Sequence, residues 1–241
     1  MKLINIPNII TCCNLICGCI AIYTAFFGRM DVACIFIILG AVFDFFDGMT
    51  ARALGISGPI GKELDSLADV VSFGIAPSSL CFVLLQTCCD FAGISSIWAF
   101  AAFIMAAFSA LRLAKFNCDE RQSLSFIGLP TPANALFWIG LSQVLPIPSI
   151  ASWISGHALL SFLLLIILML TLSLTLICEL PMFSLKLKKG HNGFAENRTR
   201  YIFLALCAII LIGFTLVGNV LSSFAAIIPL YLIMSIIDKK K

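Results

Sequence analysis

Charged residues are scarce in this chain. Only 11% of its 241 residues are Asp, Glu, Lys or Arg, whereas about a quarter of the residues are charged in a typical soluble domain. Long polar segments are equally scarce, and the one sizeable polar stretch runs from Lys186 to Arg200. Hydrophobic residues make up 61% of the sequence, and its mean hydropathy is +1.10. This composition excludes a soluble globular enzyme and predicts an integral membrane protein.

Histidine is also rare, since the chain holds only His157 and His191, and neither has a neighbour that indicates a catalytic role. The eleven cysteines include no Cys-x-x-Cys pair beside a histidine, which argues against a zinc site. Most of them fall within predicted membrane helices, where cysteine packs as a small hydrophobe. The net charge of +3 suits anionic lipid headgroups, and nothing indicates nucleic-acid binding.

Apolar runs of membrane-spanning length fill most of the chain. Its 21 Phe and its long Leu/Ile runs favour helices over a barrel, whose strands would alternate polar and apolar residues. About 20 apolar residues cross the membrane core as a helix, so we expect an all-α polytopic bundle that forms a single domain over residues 1–241. Pro146 and Pro148 interrupt the end of the fifth of eight predicted spans. These spans are residues 7–27, 32–53, 63–86, 94–114, 132–150, 156–178, 201–219 and 222–237.

Lys and Arg lie almost entirely on one side of these spans. If both termini face the cytoplasm, every one of the 15 basic residues except Arg29 is cytoplasmic. This is the positive-inside pattern, so we expect cytoplasmic termini in the inner membrane. We expect the loop Lys186–Arg200 to anchor this topology at the lipid headgroups. A single Lys2, with Thr11 and Asn14 interrupting the apolar run, argues against a cleaved signal peptide.

Four aspartates interrupt the second and third spans. Each carboxylate at the centre of a membrane helix costs about 2.5–3.5 kcal/mol on insertion scales, so four of them indicate a function. The connection 54–60 is rich in turn residues, which predicts an antiparallel helix pair with the carboxylates at similar depth, just within the cytoplasmic leaflet. Asp44 and Asp47 share one helix face, as do Asp65 and Asp69. Their hard oxygen ligands predict a site for two divalent cations, Mg²⁺ or Mn²⁺.

Small and basic residues accompany the aspartates. Gly48 and Gly61 would allow the close approach of a ligand or a backbone, although Gly48 with Ala51 could instead form a helix–helix contact. Four carboxylates balance two divalent cations, so a bound diphosphate would need basic partners at the same leaflet. The residues placed to supply them are Arg52, Lys62, Arg112 and Lys115. This combination predicts phosphoryl or phosphatidyl transfer.

Residues 44–69 read Asp-x2-Asp-Gly-x2-Ala-Arg-x8-Gly-x3-Asp-x3-Asp. This pattern resembles the signature of the CDP-alcohol phosphatidyltransferase family at all of its fixed positions. Four further stretches resemble the integral-membrane members that use serine as the acceptor. The likeness covers about residues 7–135, and the helices of 136–241 are less specific. The four stretches begin at Pro7, Val70, Arg112 and Phe126.

The resemblance implies CDP-diacylglycerol as donor, L-serine as acceptor, CMP as leaving group and membrane lipids as surroundings. It implies that the four aspartates hold two divalent cations and that Asp69 is also the general base, which an alcohol needs at neutral pH. Family members commonly form homodimers. The positions that cradle the cytidine diphosphate correspond to Gly48, Ala51, Arg52 and Gly61. Asn8 and Thr11 are further candidate nucleotide contacts, although Asn8 could instead cap its helix.

Several residues are candidates for binding the acceptor or the lipid phosphate. Arg112 and Lys115 end the fourth span at the depth of the aspartates, but either could be an anchor that snorkels to the interface. Lys62 is a further candidate. The run 128–132 opens the fifth span with two prolines, which frees backbone groups where a polar cavity is expected. Thr131 within this run and Asn134 just after it are the remaining candidates for binding the acceptor.

Other functions stay open at this stage. The same chemistry with glycerol 3-phosphate or an inositol phosphate is one, because Arg112, Lys115 and Arg121 could bind an acceptor phosphate. A cation transporter fits less well, since transport sites tend to lie near the membrane midplane and no internal repeat is visible. A phospholipase D-like transferase is excluded, because neither histidine begins a His-x-Lys-x4-Asp motif. Direct displacement is therefore expected.

Overall fold

The computed structural model describes residues 4–56, 58–119, 126–182 and 198–239. Within these residues the chain forms a bundle of ten α-helices and one pair of two-residue strands. The all-α prediction is therefore confirmed. The predictions for Lys2, Arg121, Lys240 and Lys241, and for most of the loop Lys186–Arg200, lie outside the described residues.

The elements follow one another along the chain as follows. The first half contains α1 (Ile6–Phe26), α2 (Met30–Leu54), α3 (Pro59–Asp69), a π-helical turn (Val70–Ile75), α4 (Ala76–Ala92), a 3₁₀ helix (Ser96–Phe103) and α5 (Ile104–Cys118). The second half contains β1 (Phe126–Ile127), α6 (Thr131–Val144), α7 (Pro148–Gly156), α8 (Ala158–Ile177), β2 (Pro181–Met182), α9 (Arg198–Leu216), a second 3₁₀ helix (Val220–Ser223) and α10 (Phe224–Lys239).

Seven helical segments among the described residues are long and apolar enough to cross a membrane, and the pair α6 and α7 allows an eighth crossing. That pair is bent by 89°, so the predicted fifth span, 132–150, consists of two helices and is interrupted where the two prolines indicated. The bend falls at the two prolines, because proline lacks the backbone N–H that a helix interior requires. The third span is also longer than predicted, since it covers Pro59–Ala92 rather than 63–86.

Contacts between helix ends show that the helices alternate in direction. Strands β1 and β2 pair antiparallel, which places the start of α6 beside the end of α8. At the other end of α6, Asn219 Nδ2 donates to the Gln143 carbonyl oxygen at 3.1 Å, beside the end of α9. Thr199 Oγ1 donates to Asp238 Oδ1 at 2.7 Å, so α9 begins where α10 ends. Helix α6 therefore runs from one end of the bundle to the other, although it has only 14 residues.

Among the described residues a small apolar cluster joins α9 and α10, and two larger clusters hold the bundle together. One lies among α4, α6 and α8 and includes Leu85, Trp138 and Met169. The other joins α1, α2, the π turn and α6 and includes Ile37 and Phe73. Lipid tails are as apolar as these side chains, so close packing rather than exclusion from water drives helices together within a membrane.

Candidate active site

The hairpin of α2 and α3 brings the signature residues together at one end of the bundle. Helix α2 is capped by Gly55, whose φ of 64° lies in the left-handed region that glycine adopts without strain. Helix α3 begins at Pro59, directly after the extended Gly58. Proline suits the first turn of a helix because its missing N–H would have no partner there. From Asn8 to Asn14 along α1, the partners on α3 advance from Gly61 to Asp69, whereas those on α2 go back from Asp47 to Gly40. The two acidic helices therefore run antiparallel, as predicted.

Three carboxylates form a cluster between these helices. One oxygen from each of Asp44, Asp47 and Asp65 lies within 4.8 Å of the other two. Asp47 is only 6% exposed, and the other two are half-buried. Atom Oδ1 of Asp65 is buried and has no hydrogen-bond partner among the described residues. An ionised carboxylate has only acceptor atoms, so this set of oxygens fits a hard divalent cation such as Mg²⁺ or Mn²⁺.

Asp69 lies one turn further along α3 and has a different environment. It is 9% exposed, and its Oδ1 accepts a hydrogen bond from Asn14 Nδ2 at 3.3 Å. It does not belong to the group of three but remains within electrostatic range of Asp44 and Asp65. Three of the four signature aspartates could thus share one ion, and the fourth, Asp69, is hydrogen-bonded to Asn14 of α1.

Helix α1 lies against both acidic helices. Thr11 Oγ1 donates to Asp47 Oδ2 at 2.6 Å, so the structure places this predicted nucleotide contact on a signature carboxylate. The backbone N–H of Asn8 donates to Asn5 Oδ1 at 2.8 Å. Asn5 is therefore the N-cap of α1, and the alternative reading of Asn8 as the cap is wrong. The buried Asn8 side chain instead faces Gly61, where an added Cβ would lie 3.5 Å from its Oδ1.

Gly48 faces the guanidinium of its own helix. A Cβ at this position would lie 3.3 Å from Arg52 Nη1, and Arg52 is exposed in the last turn of α2. Among the described residues, no neighbouring helix comes within 4 Å of that Cβ, so Gly48 makes no close helix–helix contact within the described part of the chain. Ala51 is half-buried beside them. The space at Gly48 is therefore open on the side of the acidic cluster where α2 ends.

Among the predicted basic residues, Arg112 differs from Lys115 and Lys62 in its surroundings. Arg112 is buried and donates from Nη1 to Thr131 Oγ1 at 3.4 Å, and its guanidinium lies 5.3 Å from the centre of the Phe116 ring. Lys115 is bound elsewhere, because its Nζ donates to the Ile177 carbonyl at 3.3 Å and pairs with Glu179 at 3.6 Å. Lys62 is exposed, and its Nζ donates to the Asn117 carbonyl oxygen at 3.0 Å.

Asn134 lies one turn after Thr131 on α6. It is fully buried, and neither its Oδ1 nor its Nδ2 has a hydrogen-bond partner among the described residues. Leaving a buried amide unpaired is unfavourable, so these atoms are suited to a bound polar ligand. Of the predicted acceptor residues, Arg112 and Thr131 are therefore in contact, and Asn134 lies one turn away on α6 with its amide unpartnered among the described residues.

Sequence reasoning missed several polar residues that connect these helices. Asn14 binds Asp69, Ser72 Oγ donates to the Asn14 carbonyl at 2.9 Å, and Asn117 Nδ2 donates to Ser66 Oγ at 2.8 Å. The available signal was their presence within otherwise apolar spans, in or beside the stretches that begin at Pro7, Val70 and Arg112. Their partners depend on helix packing, which a single sequence does not reveal.

A polytopic helix bundle with a carboxylate cluster at one end defines an integral membrane protein with a candidate divalent-cation site. The sequence model of the CDP-alcohol phosphatidyltransferase family matches residues 4–177. The chain therefore belongs to this family of phosphotransferases. The match continues to the end of α8, well beyond the predicted likeness over 7–135, and excludes α9 and α10.

Curated relatives carry more specific names. A CDP-diacylglycerol–serine O-phosphatidyltransferase of Bacillus subtilis is 39% identical over 137 residues, which are 57% of this chain and 75% of that protein. The protein of the same name from Methanocaldococcus jannaschii is 37% identical over 60% of this chain and 63% of its own length. Another from Mycobacterium leprae is 29% identical over 85% of this chain and 65% of its own. The chain thus spans just under two thirds of the last two.

Proposed function

We propose that this protein transfers the phosphatidyl group of CDP-diacylglycerol to the hydroxyl of L-serine and releases CMP. The observation that carries the proposal is the cluster of Asp44, Asp47 and Asp65, with the unpartnered Asp65 Oδ1, in a chain of this family. The names of the relatives support serine as the acceptor and CDP-diacylglycerol as the donor.

The end of α2 and the start of α3 are suited to the cytidine diphosphate. Gly48 leaves room beside the Arg52 guanidinium, and Gly61 leaves room beside the Asn8 amide. An arginine can bind phosphate oxygens in a bidentate manner, while an asparagine side chain offers both a donor and an acceptor to a base edge. Ala51 continues this small surface between Gly48 and Arg52. These residues would hold the donor with its diphosphate against the acidic cluster.

Asp44, Asp47, Asp65 and Asp69 would hold two divalent cations, Mg²⁺ or Mn²⁺, which supply charge stabilisation for the diphosphate and for the departing CMP. Thr11 fixes one of these carboxylates by its bond to Asp47. The buried position of the cluster limits competing contacts with water, which strengthens its electrostatic interactions.

Asp69 is the proposed general base. One of its oxygens accepts the Asn14 amide hydrogen, which leaves the other free to take the proton of the serine hydroxyl. The serine oxygen then forms a bond to the phosphorus that carries the diacylglycerol, and the bond from that phosphorus to the bridging diphosphate oxygen breaks. CMP leaves with the bridging oxygen, so the reaction is a direct displacement with no covalent enzyme intermediate.

The proposed acceptor pocket consists of Arg112, Thr131 and Asn134. Thr131 and the Phe116 ring fix the Arg112 guanidinium, which is thereby oriented to pair with the serine carboxylate. The unpartnered amide of Asn134 can accept from the serine ammonium through Oδ1. Lys62 and Lys115 are bound to the ends of α5 and α8, so we assign them to the surrounding surface rather than to serine.

We further propose that the acidic cluster faces the cytoplasm in the inner membrane. The ends of the bundle differ in charge, because Arg52, Lys62, Arg112 and Lys115 lie at the end with the cluster, while Arg29 lies at the other. Basic residues are retained on the cytoplasmic side. As the family resemblance implies, we also propose a homodimer, which cross-linking in membranes would reveal as a species of twice the monomer mass.

The direct test is a transfer assay with purified protein, Mn²⁺, CDP-diacylglycerol and labelled L-serine. The proposal predicts that label enters the lipid and that CMP appears in equal amount. Glycerol 3-phosphate and an inositol phosphate serve as competing acceptors in the same assay. If one of these is incorporated in preference to serine, the chemistry stands and the acceptor is wrong. If no acceptor releases CMP, the proposed reaction is refuted.

A further inference from the structure

Helix α1 presents a polar edge to the signature helices. Its members Asn8, Thr11 and Asn14 are spaced three residues apart, so they lie on one side of the helix. Each meets a different signature position: Asn8 faces Gly61, Thr11 binds Asp47, and Asn14 binds Asp69. The regular succession of contacts indicates that α1 positions the reacting groups in addition to crossing the membrane.

Asn14 makes two connections at once. Its Nδ2 donates to Asp69 Oδ1 at 3.3 Å, and its backbone carbonyl accepts from Ser72 Oγ at 2.9 Å. The residue is fully buried, and two glycines leave room for it and its partner. A Cβ at Gly40 would lie 2.9 Å from Asn14 Oδ1, and a Cβ at Gly18 would lie 2.5 Å from Ser72 Oγ. The pair therefore occupies a closely fitted space among α1, α2 and the third span.

The π turn Val70–Ile75 begins directly after Asp69. Such turns are rare, occur frequently at functional sites, and change the direction in which the flanking side chains point. Ser72 differs from the later serines of this span, because its hydroxyl donates to a carbonyl of α1. The hydroxyls of Ser78 and Ser79 instead bond to the carbonyls four residues earlier, Gly74 and Ile75. The bond from Ser72 thus ties the π turn to the residue that holds Asp69.

We infer that Asn14 is a positioning residue, which together with Ser72 fixes the π turn and thereby the direction of the Asp69 carboxylate. This inference rests on the proposed function, in which Asp69 takes the proton of the acceptor hydroxyl. The amide is suited to the role because it is a neutral donor. It occupies one oxygen of Asp69 without cancelling the charge that makes the other oxygen a base. A lysine or arginine at position 14 would cancel that charge.

The test compares Asn14→Leu and Ser72→Ala with wild-type protein and with Ser161→Ala as the matched control. Ser161 is also a buried serine, and it lies on α8 at the opposite end of the bundle. Its hydroxyl donates to the carbonyl of His157, four residues earlier. Leucine fills the space of asparagine without an N–H donor. Two quantities are measured: hydrogen exchange of backbone amides over residues 69–76 in metal-free protein, and kcat and KM for CMP release with serine.

Faster exchange over 69–76 is expected in both variants, because the π turn loses its attachment to α1. A misdirected base slows the reaction, so kcat should fall on the order of 10²-fold in Asn14→Leu. The fall should be about tenfold in Ser72→Ala, with KM for CDP-diacylglycerol changed less than about threefold in either variant. The Ser161→Ala protein should match wild type in both measurements.

Wild-type exchange over 69–76 in Ser72→Ala would overturn the inference, as would a KM effect without a kcat effect. If Asn14→Leu fails to fold, the results for Ser72→Ala alone test the inference. That variant removes only the Ser72 hydroxyl and leaves the Asn14 amide in place. If wild-type protein transfers nothing to serine, the proposed function fails. The exchange measurement in metal-free protein then still decides whether Asn14 and Ser72 hold the π turn.

Discussion

At the scale of single residues, the signature aspartates differ in their hydrogen-bond partners. Asp47 is held by Thr11, Asp69 by Asn14, and Asp65 has an oxygen without any partner among the described residues. Equivalent positions in a sequence motif therefore differ in their surroundings. A substitution at one aspartate should change one property of the reaction more than the others.

Asp69→Asn should leave a folded protein with kcat lowered on the order of 10³-fold, because asparagine cannot accept the proton of the acceptor. The transfer assay measures the change, and thermal unfolding in detergent verifies the fold. Asp90→Asn is the matched control, since Asp90 is exposed at the end of α4, away from the cluster. Turnover near that of wild type in Asp69→Asn would remove the general-base assignment.

Arg112→Leu should raise the KM for serine about 10- to 100-fold, since a hydrogen bond to a charged group contributes about 1.5–3 kcal/mol. Leucine keeps an apolar contact with the Phe116 ring, so the fold should be retained. Arg29→Gln, at the opposite end of the bundle, provides the control for removal of a positive charge. If the serine KM of Arg112→Leu equals that of the control, Arg112 anchors the topology and does not bind the acceptor.

At the scale of secondary structure, helix packing depends on glycines with no counterpart in the signature. Gly140 of α6 lies against the backbone at the start of α10, where an added Cβ would clash with the amide nitrogen of Ala225. Gly213 of α9 has no described atom within 4 Å of the corresponding position. Substituting alanine at Gly140 and at Gly213 therefore compares the same change with and without a close neighbouring backbone.

Gly140→Ala should lower the free energy of unfolding by about 1–3 kcal/mol, because the clash involves backbone that can only move with its helix. Gly213→Ala should leave the stability near that of wild type. The comparison is made by thermal unfolding of the two variants in the same detergent. Equal melting temperatures would show that α6 and α10 do not approach as closely as described.

The positions of the helices could be predicted from hydropathy, but their bends and irregular turns could not. The apolar runs gave the positions of α1 and α2 to within two residues, since a membrane crossing needs a definite length. The bend after Val144 had a visible cause in Pro146 and Pro148, yet its angle depends on packing. The π turn at Val70–Ile75 leaves no mark on composition. The Asn14–Asp69 contact joins residues 55 positions apart, which one sequence cannot reveal.

At the scale of the whole molecule, the alternating helices place both described chain ends at the end of the bundle that holds the acidic cluster. Helix α1 begins there with Asn8 and Thr11, and α10 ends there near β2. If the positive-inside pattern applies, the two ends and the cluster all face the cytoplasm. The proposed donor, CDP-diacylglycerol, would then enter from the cytoplasmic leaflet, with its headgroup at the end of α2.

Reporter fusions at the C-terminus test this orientation. Green fluorescent protein fused after Lys241 should fluoresce in cells, whereas alkaline phosphatase fused at the same position should be inactive, because each folds on only one side of the inner membrane. A fusion after residue 93, in the turn at the opposite end of the bundle, is the control and should give the reverse pattern. An active phosphatase at the C-terminus would contradict the proposed orientation.

The most direct test of the central claim is Mn²⁺ binding by purified protein in the presence of CDP-diacylglycerol, measured by electron paramagnetic resonance. The account predicts two bound ions per chain in wild type and a clear loss of binding in Asp47→Asn and Asp65→Asn, with Asp90→Asn unchanged. Absence of bound Mn²⁺ in wild type, or the same binding in all three variants, would contradict the claim that the aspartates of α2 and α3 hold divalent cations.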